Sequence, residues 1–207
     1  MTGKGRELVD MMQRRKVDIL CVQETRWKGS KARSIGAGFK LFYHGVDRKK
    51  NGEEVILKEE FVKNVLGGCK QEEKDTFWSE LEEVMQTVPR GERVVIGADF
   101  NGHVDEGNSG DEEVMGRFGL QERNPEGQRL VDFAKSMEMA VVNTYFQKRQ
   151  KHRVTYKSGG RSTQVDYILC RHCNLMEISY CKVVVGESVA RQHRMVVCKI
   201  TLVVRKM

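Results

Sequence analysis

Apolar positions along the chain fall into short runs, and their spacing sorts those runs into helices and strands. Leu8, Met11 and Met12 share one helical face, and the run 17–22, apolar except at Asp18, predicts a strand fed by that helix. Runs at 38–43 and 55–57 predict two more strands, joined through a turn at 49–52 where Asn51-Gly52 is a strong hairpin signal. From Gln71 the period changes: Phe77, Trp78, Leu81, Val84, Met85 and Val88 form one helical stripe, read as core, and Pro89 stops it. The uncharged run 94–98 then predicts a buried strand ending at Ala98, followed by a Gly- and Glu-rich loop over 102–113. Asn124 caps a further helix with Pro125 in its first turn, and Leu130, Phe133, Ala134 and Met137 give its buried face. Strands are predicted at 140–146, 153–157, 165–170, 181–185 and 195–204. Early alternation of helix and strand followed by strands alone predicts an α/β fold, two sheets packed face to face with helices outside, in a single domain over 1–207.

Several of these strands deliver polar groups at their ends. Asp99 and Asn101 stand two apart, so in extended geometry both point the same way, and Gly102 lets the chain turn after them. The strand at 17–22 ends in Gln23-Glu24-Thr25. Asp166 interrupts an otherwise apolar strand, where an unpaired carboxylate would cost several kcal/mol, so it requires a partner. His193, just before the strand that starts at Met195, is a natural one: an Asp that holds one imidazole nitrogen leaves the other to act on a substrate. Each residue alone has an ordinary structural explanation, since Asp and Asn also cap turns. Five of them at strand ends suggest a site for a phosphate, a metal or a water.

Composition narrows the class. With 207 residues, 39% hydrophobic content and two prolines, the chain can bury a substantial core and does not read as disordered. The first residues carry no apolar run of signal-peptide type, and no stretch approaches the roughly 18 apolar residues of a membrane span. The expectation is an intracellular protein, nuclear or cytoplasmic, neither secreted nor membrane-bound. A net charge of +7, with basic clusters at Arg48-Lys49-Lys50 and from Lys148 to Arg153, suits a polyanionic partner, nucleic acid being the commonest. Of the six cysteines, Cys21, Cys170 and Cys198 lie in apolar strand runs and read as reduced core thiols. Cys170-Arg-His-Cys173 is half of a zinc site, but no second CxxC or HxxxH follows at finger spacing, so zinc is not expected.

In order, Gln23-Glu24-Thr25, Gly97-Ala98-Asp99-Phe100-Asn101, Ser162-Thr163-Gln164-Val165-Asp166-Tyr167 and the late His193 resemble the endonuclease/exonuclease/phosphatase superfamily. The longer stretches 1–12, 17–29, 91–104 and 158–171 resemble, more narrowly, endonuclease-like domains derived from an RTE-type LINE retrotransposon. The resemblance implies a four-layer sandwich of two mixed β-sheets flanked by helices, and a Mg²⁺-dependent phosphodiesterase acting on the DNA backbone. It implies Glu24 as the ligand of Mg²⁺, with Mn²⁺ able to substitute, Asn101 on the scissile phosphate and Asp99 orienting the attacking water. His193, aligned by Asp166, would complete the phosphate clamp or take the proton. The segment 157–162 matches a hairpin that contacts DNA in retrotransposon relatives. Its Arg161 and Lys157, with Lys151 and Arg153 of the basic cluster, are the nucleic-acid-binding candidates.

The sequence also departs from that pattern. The family's first strand, which carries an Asn supporting the metal site, has no counterpart here. Neither does a central segment with core strands and an active-site tyrosine, where Leu66-Gly67-Gly68-Cys69-Lys70 makes a direct join. Gln192 stands where many relatives carry the Asp of a Ser-Asp-His motif. The expectation is an incomplete sandwich with impaired turnover. The alternative is a catalytically silent relative that binds nucleic acid or protein.

Overall fold

Short strands separated by turn-forming residues give a fold made largely of antiparallel ladders. The computed structural model describes residues 4–25, 31–44, 52–58, 74–108, 110–186 and 192–202. They fall into two compact units, Met1–Leu81 and Glu82–Met207. Among the described residues, no helix is long and apolar enough to cross a membrane.

The first unit opens with helix α1 (Lys4–Arg15), which carries Glu7 in its first turn and Arg14 and Arg15 in its last, both matched to the helix dipole. Leu8, Val9, Met11 and Met12 are its buried face. Lys16 takes a left-handed φ of 55°, and the Val17 N–H reaches back to the Met12 carbonyl at 2.8 Å. That helix-ending turn uses residues 16–18. Strand β1 (Ile19–Thr25) therefore starts two residues later than the apolar run suggests and continues through the Gln23-Glu24-Thr25 triplet. It joins β2 (Lys31–Gly36), β3 (Phe39–His44) and β4 (Gly52–Lys58) in the order β1-β4-β3-β2, every pair antiparallel. Ile56 on β4 faces Leu20 on one side and Leu41 on the other, a buried apolar row across three strands. The expected pairing of 38–43 with 55–57 is present, and its turn at 49–51 lies outside the described residues. β2 has no counterpart in the sequence prediction: Lys-Ala-Arg-Ser-Ile-Gly has almost nothing to bury and forms the exposed edge.

Helix α2 (Lys74–Thr87) ends two residues before Pro89, as expected, with Met85 buried but Val84 43% exposed, so the stripe is narrower than its spacing implies. The second unit then builds β5 (Val95–Asp99), α3 (Pro125–Ser136), β6 (Met139–Val141), β7 (Tyr156–Ser158), β8 (Arg161–Thr163), β9 (Asp166–Arg171), β10 (Ile178–Val183) and β11 (Val196–Ile200). β9 lies between β5 and β6, β7 pairs with β8, and β10 pairs with β11, all antiparallel. Leu169 and Cys170 on β9 are buried between neighbours on both flanks. β5, expected to be buried, is instead an edge strand among the described residues, with Val95 52% exposed, and it extends through Asp99 rather than stopping at Ala98. The expected strand at 140–146 yields only β6, because Val142–Thr144 coils into a 3₁₀ turn closed by Thr144 Oγ1 on the Val141 carbonyl at 2.6 Å. Of the cysteines expected in core strands, Cys170 is buried and Cys198 partly so, whereas Cys21 is exposed.

The loop between β5 and α3 is fastened by charge. Asp111, buried, binds the Arg123 guanidinium and the Lys135 ammonium, and Arg123 also donates to the Val104 carbonyl at 3.2 Å. Burial alone would raise the Asp111 pKa. Hydrogen bonds from Lys135 and Arg123 outweigh it and hold the carboxyl below the usual range. Its stabilising contribution is therefore present above the unfolded value, about 3.8, and is lost as pH falls through the lower folded value. Asp111→Ala leaves Arg123 without its counter-ion and is expected to cost about 2–4 kcal/mol at neutral pH. Urea midpoints at pH 7 measure this, and an unchanged midpoint would refute the role of Asp111.

Candidate active site

Asp99 closes β5, and its Oδ1 accepts the Asn101 N–H at 2.9 Å. This is an Asx turn, the reason Asp so often ends a strand. Asn101 then takes a left-handed φ of 51°, a conformation Asn tolerates better than most residues. The chain has thus left the strand before Asn101, which is exposed, and the two side chains do not share a strand face as their spacing suggests. Nor does Gly102 make the turn: a Cβ there would lie 2.6 Å from the Gly127 nitrogen, and one on Gly127 would overlap the His103 carbonyl. Both glycines are needed for close packing of this segment on the start of α3. Asn124 secures the contact, its Oδ1 accepting from Gly127 N and His103 N at 2.8 Å each.

Strand pairing brings the next group in. Asp166, the first residue of β9, lies directly opposite Asp99 in the β5–β9 ladder. His193 comes from a third segment and forms a bridge with Tyr156, whose ring is tilted against the imidazole with centroids 4.8 Å apart. The imidazole lies between the two carboxylates: Nδ1 is 3.1 Å from both Asp166 oxygens and Nε2 is 3.7 Å from Asp99 Oδ2. With its proton on Nδ1 the ring donates to Asp166, while the Asp99 distance exceeds hydrogen-bond range. The side chains of His193, Asp166 and Asp99 are 20%, 18% and 15% exposed, shielded enough to strengthen the electrostatics yet open to a ligand.

Two buried residues that the sequence reading passed over hold this arrangement. Thr155 Oγ1 accepts from Val165 N at 2.9 Å and Asp166 N at 3.1 Å, and the Thr155 carbonyl accepts from Arg194 N at 2.6 Å. One residue, through its hydroxyl and its carbonyl, thus ties the backbone of Asp166 to the residue after His193. Asn143 donates from Nδ2 to the Asp166 carbonyl at 3.1 Å and accepts from Ile168 N at 2.8 Å. Asn143-Thr144 within a predicted strand was the available signal, since a polar pair in an apolar run requires partners.

The remaining candidates are placed as follows. Glu24 lies on β1 in the first unit, and its side chain is outside the described residues. Lys157 and Arg161 are exposed on the β7–β8 hairpin, whose two-residue turn, Gly159-Gly160, has φ of 53° and 80°. Lys151 is exposed too, whereas Arg153 donates to the Gly119 carbonyl at 2.7 Å and pairs with Glu106 at 3.5 Å. The Gln192 amide donates to Ser158 Oγ at 2.9 Å. Among the described residues, Asp99, Asp166 and His193 form the group able to hold a metal ion, with ligand atoms within 4.8 Å of one another. Two carboxylates with one imidazole are a donor set for a divalent metal ion.

Thr155→Val keeps the side-chain shape but removes the acceptor shared by the Val165 and Asp166 N–H groups. The expected loss is about 2–4 kcal/mol, from two largely buried donors left unpaired. Faster amide exchange at Val165 and Asp166, restored by Thr155→Ser, is the readout. Unchanged protection at both would remove Thr155 from this role.

No protein-family model matches the chain. In sequence it is similar to craniofacial development protein 2 of Tragulus javanicus and of Bos taurus. Each is 24% identical over 234 aligned residues, covering 97% of this chain and 40% and 39% of those proteins. The chain therefore spans about two fifths of the length of these curated relatives. Its fold is similar to that of the endonuclease domain of TRAS1, a telomere-specific non-LTR retrotransposon (13% identity, TM-score 0.64, 96% of this chain and 93% of that one). It is also similar to an AP endonuclease from Archaeoglobus fulgidus (14%, 0.63, 96% and 94%) and to the 3′-5′ exonuclease NExo from Neisseria meningitidis (12%, 0.67, 95% and 94%). The chain has the endonuclease/exonuclease/phosphatase fold, the architecture implied by its sequence resemblance.

Proposed function

We propose that this chain is a metal-dependent phosphodiesterase domain of the endonuclease type, acting on the DNA backbone with reduced turnover. The supporting observation is the imidazole of His193 held by Asp166 at 3.1 Å and brought beside Asp99 at 3.7 Å. Asp166 fixes the tautomer and the ring plane, so Nε2 addresses a phosphoryl oxygen or transfers a proton. Asp99 accepts the proton of an attacking water, and the exposed Asn101 amide contacts a non-bridging phosphate oxygen. A divalent ion, Mg²⁺ or Mn²⁺, would supply charge neutralisation on the phosphoryl and leaving oxygens. Glu24 is its proposed ligand on the strength of the sequence resemblance. DNA as substrate follows from the +7 net charge, from exposed Lys151, Lys157 and Arg161, and from similarity to proteins described as endonucleases and an exonuclease.

A second reading, a catalytically silent relative that binds nucleic acid or protein, is favoured by Gln192. Its amide is committed to Ser158 at a position where many relatives carry a carboxylate beside the histidine. One assay separates the two readings: nicking of supercoiled plasmid, with and without an abasic site, in Mg²⁺ or chelator. Slow, Mg²⁺-dependent nicking is expected, with His193→Ala lowering the rate by about 10²–10⁴ and Asp99→Ala also lowering it. Salt-sensitive DNA binding without nicking, in a sample folded by circular dichroism, would establish the silent relative. Nicking equal in wild type and both variants would overturn the assignment of these residues.

A further inference from the structure

On the ladder next to the segment that carries His193, two cysteines face each other. Cys181 on β10 is the direct cross-strand partner of Cys198 on β11, and both are thiols. The Val184 N–H donates to the Met195 carbonyl at 2.9 Å, which makes 184 and 195 a hydrogen-bonded pair. Register alternation then makes 182 and 197 hydrogen-bonded and places 181 opposite 198 at a non-hydrogen-bonded position. There the Cα atoms are about 4.5 Å apart and the side chains closest, inside the roughly 4.4–6.8 Å span of disulfides. No strand has to move for the two sulfurs to bond.

The surroundings point the same way. Each thiol acts on the one facing it: Cys198 lowers the pKa of Cys181 against the opposing effect of burial, and Cys181 raises that of Cys198. The partly buried Lys148 ammonium adds positive charge beside the pair. That ammonium donates to the Asn143 carbonyl at 3.2 Å, and among the described residues no carboxylate pairs with it. A cation held near two thiols without an acidic partner favours the thiolate. Cys170 sits in the same apolar cluster, but burial pushes its thiol up to about 12, leaving it a packing residue. Cys198 is partly exposed, which gives a small oxidant its route.

We propose that Cys181 and Cys198 are a reversible dithiol–disulfide couple, oxidised by hydroperoxides, that staples β10 to β11. The pair, having lost one proton, attacks peroxide through one sulfur. The O–O bond breaks, a sulfenic acid forms, and the departing hydroxide leaves as water with that proton. The facing thiol then attacks the sulfenic sulfur, and its hydroxyl leaves as a second water with the thiol's proton. Two thiols and one hydrogen peroxide give one disulfide and two waters, the sulfurs losing two electrons. The bond closes a loop that carries His193 and restricts the unfolded chain.

The test is hydrogen peroxide titration of the full chain, followed by peptide mapping with differential thiol labelling. The expected product is a Cys181–Cys198 disulfide formed at substoichiometric to equimolar peroxide. It raises the denaturant midpoint and is reversed by dithiothreitol. In Cys198→Ser the midpoint no longer responds to peroxide, while in Cys170→Ala the response persists. Mapping of the wild-type chain needs no variant to fold. Peroxide that consumes only the exposed Cys21 and Cys173, or that leaves Cys181 and Cys198 as thiols or converts them separately to sulfinic acids, would overturn the proposal.

Discussion

Two carboxylates placed directly opposite each other at the end of a ladder repel, and the structure of the candidate site depends on how that repulsion is met. Antiparallel pairing of β5 with β9 puts Asp99 across from Asp166, an arrangement that is unfavourable for like charges on neighbouring strands. The His193 imidazole is the answer: it sits between the two, within hydrogen-bond distance of one and close to the other. The surrounding polar interactions keep that imidazole in place. Thr155 binds the backbone of Asp166 and of Arg194, Asn143 binds the backbone on either side of Tyr167, and Tyr156 covers the ring. The candidate site and a local electrostatic liability are here the same three residues, which explains why the support around them is dense.

The other side of the site is made rigid by close backbone packing rather than by side-chain bulk. Asn101 can occupy its left-handed turn because the next residue, Gly102, lies against Gly127 at the first turn of α3 with no Cβ between them. Asn124 caps the helix and the loop with one oxygen, so any shift of the helix start carries residues 102 and 103 with it. Further along, Asp111 pulls Arg123 and Lys135 onto the same loop. The long segment between β5 and α3 thus has little freedom over 110–124, despite its Gly- and Glu-rich composition. Composition predicts a loop; the charged and polar anchors within it decide that the loop is a platform.

Much of this was legible in the sequence where a physical signal was local. The helical stripe of α1, the Asn-Pro start of α3 and the apolar core of β9 each follow from periodicity or capping, and the fold class follows from their order. Asp166 was legible for a different reason: a carboxylate in an apolar strand has to be satisfied, and a late histidine was the available partner. What escaped depends on contacts that spacing does not encode. β2 has almost no apolar residue and exists because β3 offers it an edge. β5 reads as buried because it is uncharged, yet among the described residues it is paired on one flank only. Thr155 and Asn143 matter through backbone groups far along the chain, and nothing in a run of residues marks a side chain as the acceptor for an N–H ten or twenty-five positions away.

The grouping of residues also separates two properties that a shared active site would ordinarily join. Asp99, Asn101, Asp166 and His193, with Thr155, Asn143 and Tyr156 behind them, all belong to the second unit, and the hydrogen bonds described among them arise from ladders and turns inside it. Glu24, the proposed metal ligand, belongs to the first. The Asp166–His193 hydrogen bond and the Asp99–Asp166 pairing are both made within the second unit, whereas the proposed cation ligand is carried by the first.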